Sequence, residues 1–169
     1  MPTPEFILAL REKIGQDLLL LSGVNGVVID DAGRLLLGRR ADTGRWALPA
    51  GICEPDEQPA ETIVREVLEE TGVHCAAERV VLVETLKPIT YPNGDRCQFL
   101  DITFRCRATG GEAHVADEES LEVGWFALDA LPPLERFSLF RVERALGEDQ
   151  AAWFAHTQAE VDDRNAAVS

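Results

Sequence analysis

A chain of 169 residues, 46% apolar and 27% charged, is long enough for one domain with a real core and too short for two comfortable ones. Its 16 basic against 30 acidic residues leave a net charge of −14, which argues against non-specific binding to nucleic acid or an anionic membrane, because counterion release needs clustered Lys and Arg. The same charge leaves room for a small anionic substrate, provided divalent cations stand between it and the protein.

No apolar run approaches the ~20 residues of a membrane span. The start, Met1-Pro2-Thr3-Pro4-Glu5, lacks the basic region of a secretory signal, so the expected location is the cytoplasm. Residues 4–17 read as an amphipathic helix, with Phe6, Leu10, Ile14 and, just beyond, Leu18 at near-helical spacing. The run Leu18-Leu19-Leu20-Leu21 leads through Ser22-Gly23 to a predicted strand at 24–29, a turn at Asp30-Asp31-Ala32-Gly33 and a hairpin partner at 34–37. Trp46-Ala47-Leu48-Pro49 reads as a short strand entering a loop that ends near Gln58.

A well-marked helix follows. Pro59 suits its first position, where a missing N–H costs nothing; Ala60, Ile63, Val64, Val67 and Leu68 form the predicted buried stripe, and Gly72 stops it as a left-handed cap. Strands are expected at 79–86 and 98–106, flanking a turn at Tyr91-Pro92-Asn93-Gly94-Asp95, with Gly110-Gly111 breaking the second. A further strand at 122–128 and a helix at 138–146 complete the pattern, and the polar end from Gln158 is expected to fray. The predicted organisation is an amino-terminal helical extension packed on the domain (1–21), one mixed α/β domain (22–157) and a flexible tail (158–169). Cys53, Cys75, Cys97 and Cys106 show no CxxC spacing; Cys97 and Cys106 are placed to meet across a hairpin, but reduced thiols are expected.

The chemistry concentrates in Gly51-Ile52-Cys53-Glu54-Pro55-Asp56-Glu57, seven further residues, and Arg65-Glu66-Val67-Leu68-Glu69-Glu70-Thr71-Gly72-Val73. On a helix Glu66, Glu69 and Glu70 stand at i, i+3 and i+4, so their carboxylates share one face. Three like charges repel, and a hard cation such as Mg²⁺ relieves them. With the apolar stripe opposite, this face is expected to look out of the core. Arg65 precedes Glu69 by four and offers a forked hydrogen bond. Taken alone, the triplet reads more readily as an ordinary solvated acidic face.

The whole stretch resembles, at every specified position, the signature of the Nudix hydrolases: Gly, five residues, Glu, seven residues, Arg-Glu, an aliphatic, any residue, Glu-Glu, any residue, Gly, an aliphatic. Gly38-Arg39-Arg40 with Trp46-Ala47-Leu48-Pro49 upstream, and Glu118-Glu119, Glu122 and Trp125-Phe126 downstream, are similar to the family's flanks, so the resemblance spans roughly residues 22–130. It implies an α/β (α+β) fold with a mixed central sheet sandwiched between helices, and Mg²⁺ as cofactor, with Mn²⁺ as a substitute. It further implies Glu66, Glu69, Glu70 and the Ala50 carbonyl as metal ligands, Glu57 supporting Arg65, and Glu119 or Glu118 as remote ligand or base. Many relatives carry Gly where this chain has Ala50; a positive φ there would be strained.

Arg39, Arg40 and Arg45 are candidates for substrate phosphates, against the alternative of surface charge. Trp46 is a candidate for stacking on a base and equally for the core; Tyr91 is a stacking or dimer-contact candidate, with the plain turn reading slightly ahead. The expected function is hydrolysis of a diphosphate linkage in a nucleoside diphosphate joined to another moiety, ADP-ribose or a nucleotide sugar first. A nucleoside triphosphate pyrophosphohydrolase is the alternative, and a non-catalytic nucleotide-binding regulatory module the alternative of another class. The expected partner is a small nucleotide, with neither nucleic acid nor membrane, and a homodimer as an option that the first helix would complete.

Overall fold

Strand β1 (Leu19–Ile29) organises the computed structural model, which describes residues 3–117 and 119–166. Successive side chains of a strand point to opposite faces, and β1 uses both. Its parallel partner is β7 (Arg96–Gly111), in register from Leu19↔Cys97 to Ile29↔Arg107. Beyond β7 lies β5 (Val73–Thr85), antiparallel to it, and then the short parallel β9 (Trp153–Phe154). On the other side stand β2 (Leu35–Arg40) and β3 (Trp46–Ala47), while β8 (Ser120–Phe126) pairs β2 and β6 (Ile89–Thr90) pairs β7. The sheet is therefore mixed, with helices on both faces, as expected.

β1 and β2 touch only at Ile29↔Leu35 and then diverge. Into the gap enters β4 (Ala50–Ile52), antiparallel to β1 from Gly23↔Ile52 to Asn25↔Ala50. That split brings the loop ahead of α2 (Pro59–Thr71) into the sheet's own plane.

Even-numbered residues of β1 and β7, namely Val24, Val28, Phe104 and Cys106, pack against Ile63 and Val67 of α2. Odd-numbered residues face two further helices. Val27 and Ile29 meet Val142 and Ala145 of α3 (Arg136–Leu146), and Leu21 and Cys97 meet Ile7 of α1 (Glu5–Ile14). Burying each such side chain is worth about 1.5–3 kcal/mol, so both faces are anchored. α1 and α3 do not meet over the sheet's centre, and a cleft opens between them.

Several expectations change. The strand at 24–29 begins at Leu19, because residues 19–22 pair with 97–100 of β7. Gly110 and Gly111 do not break β7 but pair with His74 and Val73. Cys97 and Cys106 share that strand and cannot meet across a hairpin; Cys106 instead lies against Cys75, and all four thiols are free. α2 buries Thr62, Ile63, Glu66, Val67 and Thr71, whereas Leu68 is 39% exposed. The stripe is thus rotated towards Glu66, with Gly72 capping in the left-handed region as predicted. Residues expected to fray form α4 (Gln158–Ala166): Val161 is buried, and Arg164 lies over Phe140 and Trp153 while pairing with Glu84 at 2.8 Å. No described helix is long and apolar enough to cross a membrane.

Candidate active site

The loop before α2 turns at Asp56, a non-glycine residue at φ 68, which swings Glu57 back over the first turns of the helix. There Arg65 grips it with a fork, Nε to Oε1 at 2.7 Å and Nη2 to Oε2 at 3.0 Å, while the Thr62 hydroxyl donates to Oε2 at 2.8 Å. These hydrogen bonds, Arg65 foremost, bring the Glu57 carboxyl down to about 2. The third guanidinium nitrogen, Nη1, reaches Glu66 Oε1 at 2.9 Å and Glu69 Oε2 at 3.0 Å. The expected Glu57–Arg65 pairing is present, and Arg65 binds both neighbouring glutamates as well.

The three glutamates of the shared face do not share an environment. Glu66 is only 1% exposed, correcting the expectation that this face looks wholly out of the core, and burial pushes its carboxyl up to about 7. Its depth depends on Gly51, where a Cβ would meet the Glu66 carboxyl at 2.2 Å. Glu69 stands outside, its side chain 54% exposed. Glu70 reaches through the gap between β1 and β2, where the Ala50 N–H donates to it; burial, with the Glu66 charge next, lifts it to about 8. Ala50 itself has no positive φ, so it replaces Gly without strain.

Among the described residues, no three His, Cys, Asp or Glu side chains converge as a ready ligand cluster. The donor set nonetheless suits a hard cation. Glu66 Oε2 is buried without a hydrogen-bond partner, and burial holds two carboxyls far above their usual range, a cost that a bound cation would offset. Glu66, Glu69, Glu70 and the Ala50 carbonyl are the groups that would hold it.

Glu70 and Ala50 border the cleft, about 630 Å³ in volume, together with Glu119, Arg40 and Tyr91. That volume suits a small-molecule ligand. Arg40 carries Asp42 on its fork at 2.9 and 2.6 Å. The other candidates lie outside the lining. Arg39 is tied to Glu122 and the Gly44 carbonyl, Arg45 pairs with Glu135, and Trp46 packs edge-on against Phe126 with centroids 4.8 Å apart. Trp46 thus takes its core alternative. Glu118 lies outside the described residues.

α1 and the β6–β7 hairpin form the outer wall. Arg11 fastens them, Nη2 to the Arg96 carbonyl at 2.7 Å and Nη1 to the Asp17 carbonyl at 2.6 Å, and Gln16 reaches the Asn93 carbonyl at 2.8 Å. The floor was not foreseen. Asn25 Nδ2 donates to Asp101 Oδ1 at 2.7 Å, and Arg141 Nη2 to Asp101 Oδ2 at 2.6 Å. Burial raises the Asp101 carboxyl, opposed by Arg141. A signal existed in part: Asn25 is a polar residue at the inward parity of the otherwise apolar β1, where an unpaired polar group is costly, whereas Asp101 shares its parity in β7 with Thr103, Arg105 and Arg107.

Comparison with known proteins places this geometry. The NUDIX domain model matches residues 19–146. A MutT-like protein of Streptomyces ambofaciens is 40% identical over 106 residues, 63% of each chain. An 8-oxo-dGDP phosphatase of Homo sapiens is 35% identical over 115 residues, 64% of this chain and 33% of that one. The chain therefore spans less than two thirds of either relative. Among solved structures, an ADP-ribose pyrophosphatase of Streptococcus suis superposes with a TM-score of 0.61 at 26% identity, covering 80% of this chain and 98% of that one.

Proposed function

The chain belongs to the Nudix family, and from that premise we propose that it is a Mg²⁺-dependent hydrolase of the diphosphate linkage in a nucleoside diphosphate derivative. The observation that carries the reading is the surplus of carboxylate at the cleft edge: Glu57, Glu66 and Glu69 stand around the single guanidinium of Arg65, Glu70 follows one residue on, and Glu66 Oε2 is buried and unpartnered. Mg²⁺ bound by Glu66, Glu69, Glu70 and the Ala50 carbonyl would neutralise the diphosphate and acidify a water molecule.

The chain's own residues then have separate tasks. Arg65, clamped by Glu57, fixes the rotamers of Glu66 and Glu69 so that their oxygens need no reorganisation. Glu119, on the cleft wall, takes the proton as the water oxygen attacks phosphorus. The bond from that phosphorus to the bridging oxygen breaks, and the bridging oxygen leaves on the other phosphate. The products are two phosphate-bearing halves. Arg40, a cleft cation that feels the Glu70 charge, holds the non-reacting phosphate in this scheme.

Relatives named for 8-oxo-dGDP and for ADP-ribose make both compounds primary candidates. The test is a turnover screen with Mg²⁺ over ADP-ribose, a nucleotide sugar, 8-oxo-dGDP and nucleoside triphosphates. Two monophosphate-bearing products, or phosphate release from the nucleoside diphosphate, support the reading. Pyrophosphate released from a triphosphate in preference to all of these points to the pyrophosphohydrolase alternative. Nucleotide binding with no turnover of any compound sinks the enzyme reading.

A further inference from the structure

The cleft floor is built around Asp101, which is hydrogen-bonded from both sides. Asp101 can only accept as a carboxylate, and both oxygens are engaged, Oδ1 by Asn25 and Oδ2 by Arg141. Arg141, 2% exposed, also approaches Glu84 at 3.5 Å, and Glu84 pairs with Arg164 of α4 at 2.8 Å. Two arginines therefore balance two carboxylates, so among the described residues the floor carries no net positive charge to attract a further phosphate. The amide of Asn25 cannot turn over, since its carbonyl would then face Asp101 Oδ1. Its Oδ1 accepts no hydrogen bond from the described residues and is not among the buried unpartnered atoms, while the residue lines the cleft. Gly23 keeps the floor open beside it, because a Cβ there would press on both Asp101 Oδ1 and Phe99 at 3.3 Å. Phe99 and Phe137, the latter 5.0 Å from the Arg141 guanidinium carbon, supply flat apolar walls.

Resting on the hydrolase reading above, we propose that Asn25 is a specificity-determining residue: its Oδ1, locked outward by Asp101, selects a substrate whose distal half is an uncharged nucleobase presenting an N–H donor. Asn25 pairs in register with Ala50 across β1 and β4, so one strand position links the base reader to the edge where the diphosphate is cut. A base without an N–H leaves Oδ1 unpaired in the closed cleft, and one such loss is worth about 3- to 10-fold in affinity.

The experiment measures calorimetric dissociation constants of AMP, GMP and purine riboside 5′-monophosphate, whose base carries no N–H. It uses the full chain with Mg²⁺, the wild type beside Asn25→Leu and Asp101→Asn. In the wild type, AMP or GMP is expected to bind about 3- to 10-fold more tightly than purine riboside monophosphate. Asn25→Leu erases that advantage and leaves purine riboside monophosphate within about twofold. Asp101→Asn erases it too, although Asn25 is still present, because the new amide donates to Asn25 Oδ1 and turns the side chain's NH₂ towards the ligand. Equal binding of all three nucleotides by the wild type overturns the proposal. So does an advantage that survives Asn25→Leu, or an equal loss of every ligand in both variants. The wild type is assayed in parallel for hydrolysis of the matching diphosphates. An N–H preference in binding without turnover removes the hydrolase reading alone, and turnover without the preference removes this one alone.

Discussion

Two arginines in this molecule gather carboxylates, and they do so to opposite ends. Arg65 on α2 holds Glu57, Glu66 and Glu69, with Glu70 one residue on, so negative charge outnumbers positive. Arg141 on α3 holds Asp101 and shares Glu84 with Arg164, so two positive charges meet two negative ones. The first set sits where the sheet splits and a ligand can enter; the second is sealed beneath the cleft, with Arg141, Asp101 and Glu84 all buried. A buried charge needs compensation, from the protein or from something that binds. Surplus marks a place that awaits a cation, and balance marks a scaffold.

The sharpest way to break this contrast is to remove one charge from each set. Glu70→Gln should lower kcat/KM by about 10³-fold, since loss of a ligand forfeits several kcal/mol of charge stabilisation. The same change removes the cost of burying an ionisable carboxyl and then its repulsion with Glu66, so the metal-free variant should unfold at higher urea than the wild type. A variant that is both inactive and less stable would contradict the surplus. At the balanced set the sign reverses. Arg141→Leu strands Asp101, leaving Glu84 with Arg164 alone, and should cost about 3–5 kcal/mol in urea unfolding. A loss near zero would show that water, not the arginine, satisfies those carboxylates.

The two sets also differ in how far they could be read from sequence. The surplus set is local: Glu57 to Glu70 lie within one loop and one helix, so spacing alone placed Arg65 beside Glu69, and Pro59 and Gly72 bounded the helix as expected. What spacing could not give was depth. Periodicity put Leu68 inside and Glu66 outside, whereas the close approach of Gly51 rotates the helix the other way. The balanced set joins β1, β5, β7, α3 and α4, and no short-range pattern links Asn25 to Arg141 or Glu84 to Arg164. α4 escaped for the same reason, because its polar residues give a weak stripe and its anchor is the aromatic pair Phe140 and Trp153. Trp46 was undecidable until Phe126, eighty positions away in the chain, was seen against it.

A smaller effect tests whether Arg65 organises the surplus set or merely neutralises part of it. Glu57→Gln keeps the volume and one acceptor but loses the forked ionic grip on Arg65. Positioning partners of this kind are worth about 10- to 100-fold in activity or metal affinity. The loss should appear as weaker activation by Mg²⁺, partly recovered at high Mg²⁺, with substrate KM little changed. If KM alone moves, Glu57 serves the substrate and not the ligand glutamates.

The gentlest probe leaves every residue in place and changes pH. Glu66 and Glu70 titrate near 4.5 when unperturbed and near 7 and 8 in the folded, metal-free chain. Between those limits the folded protein holds protons that the unfolded chain has released, so metal-free stability should fall as pH rises from about 5 to about 8. Glu57 acts in the opposite sense: its carboxyl lies at about 2, so its contribution is complete above its unperturbed 4.5 and is lost as pH falls through that window. Together they place the metal-free optimum near pH 5, below the usual range for globular proteins. Mg²⁺ must displace the protons of Glu66 and Glu70, so the stabilisation it confers should grow with pH across the interval in which the metal-free protein weakens. Urea midpoints measured from pH 4 to 9, with Mg²⁺ and with chelator, read both trends in one series. Curves that stay parallel would mean that Glu66 and Glu70 do not receive the cation, and that the surplus of charge around Arg65 is met by solvent.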